Sequence, residues 1–317
     1  HWVMPFDLKT DKTTVAIPEG PTAISIALDV LEDHINNGEK IMAINAAIPG
    51  VFGLDRIKNK YPENYHDVGI AEQESVAFAA GMAKEGATPV LFENSTFLQR
   101  AFDQLSHDVA ANDLPVVMMV AGGGISGTSK THLGVFDQVM ISNLPNWIYL
   151  APTNLAEEKA MMGWAIKQKK HPVAIKMPTK GVPEGKEITA VDYSEIKYDI
   201  KPGKDVAVLA LGDMYDMLGK KVAEKTGASL VNPVSANILD TAALDKLAQE
   251  NKVIVTIEDN ILDGGFGEKV ASYLGDKDIK VLNYGQKRVY TDQVPLKEIL
   301  KDNRMTVDQI VEDIENA

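Results

Sequence analysis

Short apolar segments alternate with helix-type segments along most of this 317-residue chain, and that alternation is the strongest constraint on its fold. Three of the apolar segments are KIMAINAA at 40–47, TPVLFE at 88–93 and LPVVMMVAG at 114–122. Isoleucine and leucine residues recur at helical spacing in residues 21–37, which predicts a helix there, and further helices are predicted over 97–111, 213–226 and 241–250. A helix is also predicted to begin near Glu72, with Val76, Ala79, Ala80 and Ala83 on one face. Buried strands separated by helices are typical of a parallel sheet that is covered on both faces. The sequence therefore predicts an α/β protein.

The alternation is interrupted once, at residues 179–204, which are rich in glycine, proline and lysine and have weak periodicity. It resumes at DVAVLAL, residues 205–211. We therefore predict two domains joined by this segment, each a mostly parallel sheet covered by helices. The first ten residues, HWVMPFDLKT, do not begin with methionine, so we also expect that the sequence enters a longer chain partway.

Charge and cysteine content exclude several classes of function. The formal net charge is −13 and the pI is about 5.0, which disfavours binding to nucleic acid or to an anionic membrane. There is no cysteine, so disulfides, thiolate metal sites and cysteine nucleophiles are excluded. No apolar run approaches the roughly 20 residues that span a bilayer, and no signal peptide is visible. We expect a cytoplasmic protein.

The segment GGGISG has the G-x-G-x-x-G spacing of a dinucleotide-binding loop, formed by Gly122, Gly124 and Gly127. A dinucleotide site also needs a helix that begins at once, and TSKTHLGVFD is poor helix material. NAD binding is therefore disfavoured. His132 lies in the same loop, after a buried strand, where open α/β sheets place ligands. The six histidines form no pair with metal-ligand spacing, and no metal site is predicted.

Glu72 lies in GIAEQ, at the start of a small-residue helix and beside apolar residues. A glutamate in a first turn is favoured by the helix dipole, which would explain an isolated case. Asp137 and Asp259 are likewise explained as turn or cap residues. The residues alone thus predict a two-domain α/β protein with glycine-rich ligand loops, and they leave its activity open.

Four stretches taken together resemble a known family. They are YHDVGIAEQESVAFAAGMAKEG at 65–86, STFLQRAFDQLSHDVA at 95–110, THLGVFD at 131–137 and IEDNILDGGFGEKV at 257–270. The residues in these stretches, and the order of the stretches along the chain, resemble the C-terminal half of thiamine-diphosphate enzymes of the transketolase group. Within that group, STFLQRAFDQ and the opening HWVMPFD are most similar to 1-deoxy-D-xylulose-5-phosphate synthases. The resemblance extends over nearly the whole chain.

The resemblance implies roles for individual residues. The residue matching Glu72 hydrogen-bonds N1′ of the cofactor's aminopyrimidine in this family, which promotes loss of the thiazolium C2 proton. Phe97 matches the aromatic residue that stacks on the pyrimidine, and Ile70 and Arg100 would line its pocket. His132 matches a substrate-side histidine, suited to proton transfer or to orienting a donor carbonyl. The resemblance also implies that residues 1–185 form a pyrimidine-binding domain and residues 186–317 a transketolase C-terminal domain.

Three departures from the family pattern bear on the cofactor and the substrate. The G-D-G motif that holds the diphosphate and Mg²⁺ is absent, and its nearest match is Gly212-Asp213-Met214. The diphosphate end and Mg²⁺ are therefore expected to need an N-terminal region or a partner chain. The loop GTSKTH is one residue shorter than the corresponding loop of the synthases and lacks the acidic residue of that loop. KMPTKG replaces an arginine-rich, phosphate-contacting stretch, leaving Lys176 and Lys180 as candidate substrate contacts.

The resemblance implies transfer of a two-carbon unit, with pyruvate and glyceraldehyde 3-phosphate giving 1-deoxy-D-xylulose 5-phosphate. A transketolase that transfers a ketol unit between sugar phosphates is one alternative. A non-catalytic homologue or partner subunit is another, which the lost acid and arginines favour and which Glu72, Phe97 and His132 oppose. A homodimer is expected in each case.

Overall fold

The structure is a computed structural model, and it describes residues 6–10, 12–13, 20–189 and 191–317. The first five residues of the HWVMPFD segment therefore lie outside the described part. The strands are β1 Phe6–Asp7, β2 Lys12–Thr13, β3 Ile41–Asn45, β4 Tyr65–Asp67, β5 Thr88–Asn94, β6 Val117–Ala121, β7 Ile148–Leu150, β8 Val173–Lys176, β9 Asp199–Lys201, β10 Asp205–Ala210, β11 Ser229–Asn232, β12 Asn251–Ile261 and β13 Lys280–Gln286. The α-helices are α1 Ala23–Asn36, α2 Asp55–Lys60, α3 Glu72–Lys84, α4 Phe102–Gln104, α5 Asp137–Ser142, α6 Leu155–Lys167, α7 Lys220–Thr226, α8 Thr241–Glu250, α9 Phe266–Tyr273, α10 Leu296–Asp302 and α11 Val307–Glu315.

The first sheet has six strands in the order β4-β3-β5-β6-β8-β7, and every pair in it is parallel. Its central strands are mostly apolar because helices cover both faces, as the continuous apolar runs predicted, and the few polar residues in them, such as Glu93 in β5, are buried as well. Helix α3 packs on β5 and buries the face formed by Val76, Ala79, Ala80 and Ala83. This confirms the predicted α/β class and the buried face of this helix.

The second sheet has the order β13-β12-β10-β11-β9. Its first four strands are parallel, and β9 pairs with β11 in the antiparallel direction at the edge. The predicted linker thus contributes one edge strand. The described residues include no helix long and apolar enough to cross a membrane.

Helical segments differ from the prediction in two ways. The stretch predicted as a helix over 97–111 is divided into a 3₁₀ turn Leu98–Ala101, the short α4 and a π-helical stretch Leu105–Ala110. Helices α2, α5, α10 and α11 were not predicted. Of these, α5 and α10 are only six and seven residues long, too short for helical periodicity to stand out from the sequence.

The two sheets meet through α5 and β12. Gln138 Nε2 donates to Glu258 Oε2 at 2.6 Å, and Asn260 Nδ2 donates to Asp137 Oδ1 at 2.9 Å. The backbone amide of Ile261 also donates to the carbonyl oxygen of the loop before α5 at 3.0 Å. This interface is polar and buried, and it lies directly behind the loop that carries His132.

Candidate active site

The parallel strands of the first sheet end at one edge, which we call the carboxyl edge, and the predicted site residues follow these ends. Strand β4 leads into α3, which begins with Glu72. Strand β5 leads into the turn with Phe97, and β6 leads into the glycine-rich loop with His132. Strand β8 ends at Lys176. Ligands of open parallel sheets bind at this edge, so the topology places the predicted residues where a site is expected.

Glu72 is the first residue of α3 and is only 3% exposed. Its carboxylate oxygen Oε2 accepts a hydrogen bond from Arg100 Nη1 at 3.3 Å. Within the described residues, Oε1 makes no hydrogen bond. A buried carboxylate with one oxygen held and the other free is suited to accept or share a proton with a single bound partner. The fold thus brings together Glu72 and Arg100, two residues that the resemblance assigns to the same pocket.

Phe97 and His132 come from two different loops and meet edge to face. Their ring centroids are 5.8 Å apart, and the ring planes are inclined by 74°. Thr96 Oγ1 donates to the carbonyl oxygen of Thr131 at 3.5 Å and so links the two loops. His132 is exposed, and its Nδ1 lies 2.9 Å from Thr131 Oγ1. This arrangement leaves Nε2 of His132 available for a substrate.

Ile70 was expected to line the pocket around Glu72, but it is 78% exposed in this chain. The burial of Glu72 comes instead from the packing of α3 on β5. Ile70 therefore does not enclose the carboxylate among the described residues. A role for Ile70 in binding the cofactor stays a prediction that requires a further wall from elsewhere.

A cavity of about 780 Å³ lies between the glycine-rich loop, the segment after β8 and the second domain. Its lining carries hydroxyl, amide and cationic groups from Asn94, Ser126, Thr128, Ser129, Thr131, His132, Thr179, Lys180 and Gln293. Glu72 and Phe97 do not line it. His132, which touches Phe97 and borders the cavity, is the link between the two halves of the candidate site.

Behind this cavity, lysines and aspartates from both domains form a buried group, which we call the ion cluster. Lys176 Nζ lies 3.2 Å from Asp259 Oδ1 and 3.6 Å from Asp137 Oδ2. Lys180 Nζ lies 3.0 Å from Asp259 Oδ2 and 4.0 Å from Asp213 Oδ2. Lys176 is 6% exposed, so of the two predicted substrate contacts only Lys180 borders the cavity.

The electrostatics of the ion cluster are close to balanced. Burial opposes the charge of Lys176, but the carboxylates of Asp137 and Asp259 raise its pKa above the usual range. Burial likewise opposes ionisation of Asp259, and Lys176 and Lys180 lower its pKa. The pKa of Asp213 is raised by burial and by the negative charge of Asp259. The charged form of Lys176 and the ionised form of Asp259 therefore stabilise each other, whereas Asp213 is protonated more easily than an ordinary aspartate.

The glycine-rich loop has a structural explanation, because it packs directly over the ion cluster. A Cβ at Gly123 would lie 3.1 Å from Asp137 Oδ2 and 3.2 Å from Lys176 Nζ. Gly124 has φ +102° and donates its amide to the carbonyl oxygen of Gly134 at 2.7 Å. The segment that follows is a three-residue 3₁₀ turn, Lys130–His132, rather than the helix of a dinucleotide site.

Gly124→Ala is expected to destabilise the protein by roughly 2–4 kcal/mol, because the new Cβ would overlap Asp259 Oδ2 and the residue would keep a positive φ. The measurement is the midpoint of urea unfolding. Gly163→Ala is the matched control, since Gly163 lies within α6 and its Cβ would meet nothing within 4 Å among the described residues. We expect that control to be neutral or to gain up to about 1 kcal/mol. Equal midpoints for the two variants would contradict this view of the loop.

Three buried acids at the site were missed from the sequence or explained wrongly. Asp137 and Asp259 were predicted to be turn or cap residues. Asp137 does begin α5, but both residues are at most 1% exposed and belong to the ion cluster. Glu93, in β5, is fully buried. The available signal was an acidic residue inside or directly after an apolar run, as in TPVLFEN and KVIVTIED. Such a residue needs a buried partner or a proton.

Comparison with known families identifies the chain. The family model described as "Transketolase, pyrimidine binding domain" matches residues 21–184, and "Transketolase, C-terminal domain" matches residues 194–310. This chain belongs to the transketolase family. The predicted resemblance is therefore confirmed, and the two matched stretches follow the order of the predicted domains. The exact boundary, at 185–186, stays a prediction.

Curated relatives in this family carry one name. The chain is 40% identical to the 1-deoxy-D-xylulose-5-phosphate synthase of Clostridium acetobutylicum, over 79% of this chain and 42% of that protein. It is 36% identical to 1-deoxy-D-xylulose-5-phosphate synthase 1 of Geobacter sulfurreducens, over 95% of this chain and 49% of that protein. The chain thus spans about half the length of the curated relatives it matches.

Among solved structures, one titled "Split gene transketolase, inactive beta4 tetramer" shares the fold. The TM-score is 0.76 at 23% sequence identity, and the match covers 94% of this chain and 98% of the other. At that identity, the likeness concerns the fold alone. It confirms that the two-sheet arrangement found here is that of a transketolase-family chain.

Proposed function

We propose that this chain forms the pyrimidine-binding part of a thiamine-diphosphate-dependent enzyme that transfers a two-carbon unit. The substrates that we propose are pyruvate and glyceraldehyde 3-phosphate, and the product is 1-deoxy-D-xylulose 5-phosphate. The observation that carries the proposal is Glu72, a buried carboxylate at the carboxyl edge with one oxygen held by Arg100 and the other free. The names of the curated relatives support the choice of substrates.

The described residues fit one end of the cofactor. Glu72 offers a carboxylate oxygen to a ring nitrogen, and the half-buried Phe97 offers an aromatic face for stacking. The described residues do not fit the diphosphate end of the cofactor. Asp213 of the G-D-M segment accepts two hydrogen bonds from Thr179 instead, and no cluster of three acidic or histidine side chains suited to a metal occurs in the described residues. We propose that the diphosphate and Mg²⁺ are held by residues outside this sequence.

The chemical task of this chain's residues follows from their positions. When bound, thiamine diphosphate would supply the carbanion chemistry that cleaves and forms carbon–carbon bonds. Glu72 would hold a proton at the ring nitrogen, while Arg100 fixes the second carboxylate oxygen and limits rotation of the side chain. Phe97 would set the plane of the ring. His132 would orient the donor carbonyl or exchange a proton with it through Nε2, since Thr131 is near Nδ1.

The two lysines differ in their proposed roles. Lys180 borders the cavity, so we propose that its ammonium contacts the acceptor phosphate. The ammonium of Lys180 would then contact both the phosphate and Asp259, whose Oδ2 lies 3.0 Å from Lys180 Nζ. Lys176 is buried between two carboxylates, so we propose that it supports the loop and does not touch the substrate.

We further propose that the active assembly is a homodimer in the cytoplasm, completed by an N-terminal region of the same chain or by a partner chain. The split-gene transketolase neighbour supports the partner-chain form, because that protein is described as the product of a split gene and as an inactive β4 tetramer. The alternatives are a transketolase and a non-catalytic subunit. The replacement of the arginine-rich stretch by Lys176 and Lys180 keeps both open.

The test begins with the protein from its natural source. An intact mass above 34.5 kDa would indicate one longer enzyme, and a mass equal to it would direct the search to a co-purifying partner. The complete assembly is then given an aldose phosphate acceptor with either pyruvate or a ketose phosphate as donor. We expect pyruvate to release CO₂ and to give product at least about tenfold faster. The reverse preference would favour a transketolase, and binding without turnover of either donor would favour a non-catalytic subunit.

A further inference from the structure

Glu93 is a buried acid directly beneath the helix that carries Glu72. It lies in β5, is fully buried, and has Oε1 at 3.1 Å from Ser75 Oγ. Ser75 is in the first turn of α3, and the same hydroxyl oxygen lies 2.7 Å from the carbonyl oxygen of Glu72. Within the described residues, the other oxygen of Glu93 has no hydrogen-bond partner. The mechanism proposed above does not use this acid.

The hydrogen bonds around Ser75 determine where the protons are. A serine hydroxyl has one proton, and the carbonyl oxygen of Glu72 can only accept. Ser75 therefore gives its proton to Glu72, across the shorter of the two distances. The contact between Ser75 and Glu93 is then a hydrogen bond only if Glu93 donates, which requires a protonated carboxyl group. The opposite assignment would leave two acceptor oxygens 2.7 Å apart.

The surroundings of Glu93 favour the same protonation state. Burial raises its pKa to about 8, and the negative charge of Glu72 adds to this rise. Asp67, at the end of β4, also raises the pKa, and the Asn94 amide lowers it. The strands on either side of β5, which are β3 and β6, contain no titratable residue. The charged groups that act on Glu93 are therefore carboxylates.

We propose that Glu93 is a positioning residue for Glu72. As a neutral acid, Glu93 holds Ser75 and thereby the first turn of α3, and it adds no second negative charge beside Glu72. The inference rests on the proposed role of Glu72 in activating the cofactor. Ionisation of Glu93 would remove the donor to Ser75 and set two carboxylates against each other. Activation of the cofactor is then expected to fall as the pH rises through about 8.

The first test uses this chain without any cofactor and compares thermal unfolding of the wild type with that of Glu93→Gln from pH 5 to pH 9. An acid whose pKa is raised from 4.5 to about 8 on folding binds more protons in the folded state across that window. Its contribution to stability therefore falls as the pH rises, and glutamine has no such dependence. The Tm of Glu93→Gln minus the Tm of the wild type should therefore increase with pH up to about pH 8 and remain constant above it. A constant difference would overturn the proposal.

The second test measures exchange of the C2 proton of thiamine diphosphate in the complete assembly. Glu93→Gln keeps a hydrogen-bond donor for Ser75, so its exchange rate at pH 7 should stay within about twofold of the wild-type rate. Unlike the wild-type rate, it should not decrease near pH 8. Glu93→Leu removes the donor and should slow exchange about tenfold at every pH. Glu74→Gln, on the exposed side of the same turn, is the control without effect.

The outcomes separate the two proposals. If Glu93→Gln and Glu93→Leu slow exchange equally, or if both keep the fall near pH 8, Glu93 does not position Glu72. If replacing Glu72 itself leaves exchange unchanged, the proposed function fails. The unfolding comparison still reports in that case whether Glu93 is a neutral acid.

Discussion

Glu72→Ala is expected to slow exchange of the C2 proton of thiamine diphosphate in the complete assembly by about a thousandfold. The reason is that a buried carboxylate placed at a ring nitrogen supplies proton transfer that water reaches poorly, and alanine leaves no group in its place. Glu72 is 3% exposed and begins α3 at the carboxyl edge, where Arg100 fixes one of its oxygens. The measurement is hydrogen–deuterium exchange at C2, followed by NMR after rapid quenching.

The control for this prediction lies in the same helical turn. Glu74 is exposed, has the same charge and also belongs to the first turn of α3, so Glu74→Ala tests the contribution of charge and of the helix dipole alone. We expect exchange in Glu74→Ala to remain within about twofold of the wild type. Glu72→Gln should retain the shape of the site and still lose most of the exchange. Full exchange in Glu72→Ala would contradict the proposed mechanism.

Lys176→Met is expected to destabilise the protein by about 3–5 kcal/mol, the largest effect on stability that we predict. Methionine has a similar length but leaves Asp137 and Asp259 buried near each other without the ammonium that lies 3.2–3.6 Å from them. Removing one partner of a buried ion pair leaves the desolvation cost of the remaining charge less well compensated, although Asp259 keeps Lys180 at 3.0 Å. The free energy of unfolding, measured by urea titration at pH 7, tests this.

Two further variants show whether the loss comes from charge. Lys167→Met changes an exposed lysine on α6 and should alter the stability by no more than about 0.5 kcal/mol. The double variant Lys176→Met with Asp259→Asn removes one carboxylate charge, so it should be more stable than Lys176→Met alone. A double variant whose loss equals the sum of the two single losses would show that the ion cluster is not coupled.

Much of the fold followed from local patterns. The apolar runs at β3, β5, β6, β8, β10 and β12 are each buried by covering helices, and helix α8 spans the predicted residues 241–250. The helix predicted over 213–226 is divided into a π-helical stretch, Tyr215–Gly219, and α7, a difference in hydrogen-bond pattern that apolar periodicity does not predict. Short elements such as α5 have too few residues to show a period.

The candidate site was predictable only in part. Glu72, Phe97, Arg100 and His132 were named from the motifs, and the fold brings Glu72 to Arg100 and Phe97 to His132. The motifs carry no information about which lysine is buried, so Lys176 was grouped with Lys180. The partners of Lys176 lie 39 residues before it and 83 residues after it in sequence, at Asp137 and Asp259. No local pattern connects positions so distant.

The sequence by itself determined the α/β class, the two-domain order and the family, because each of these depends on periodicity or on short motifs that can be read within one segment. The tertiary structure alone decided the burial of Glu93 beside Ser75 and the set of carboxylates around Lys176. Both depend on which carboxylates, hydroxyls and ammonium groups share a space without water, and long-range chain packing creates that space.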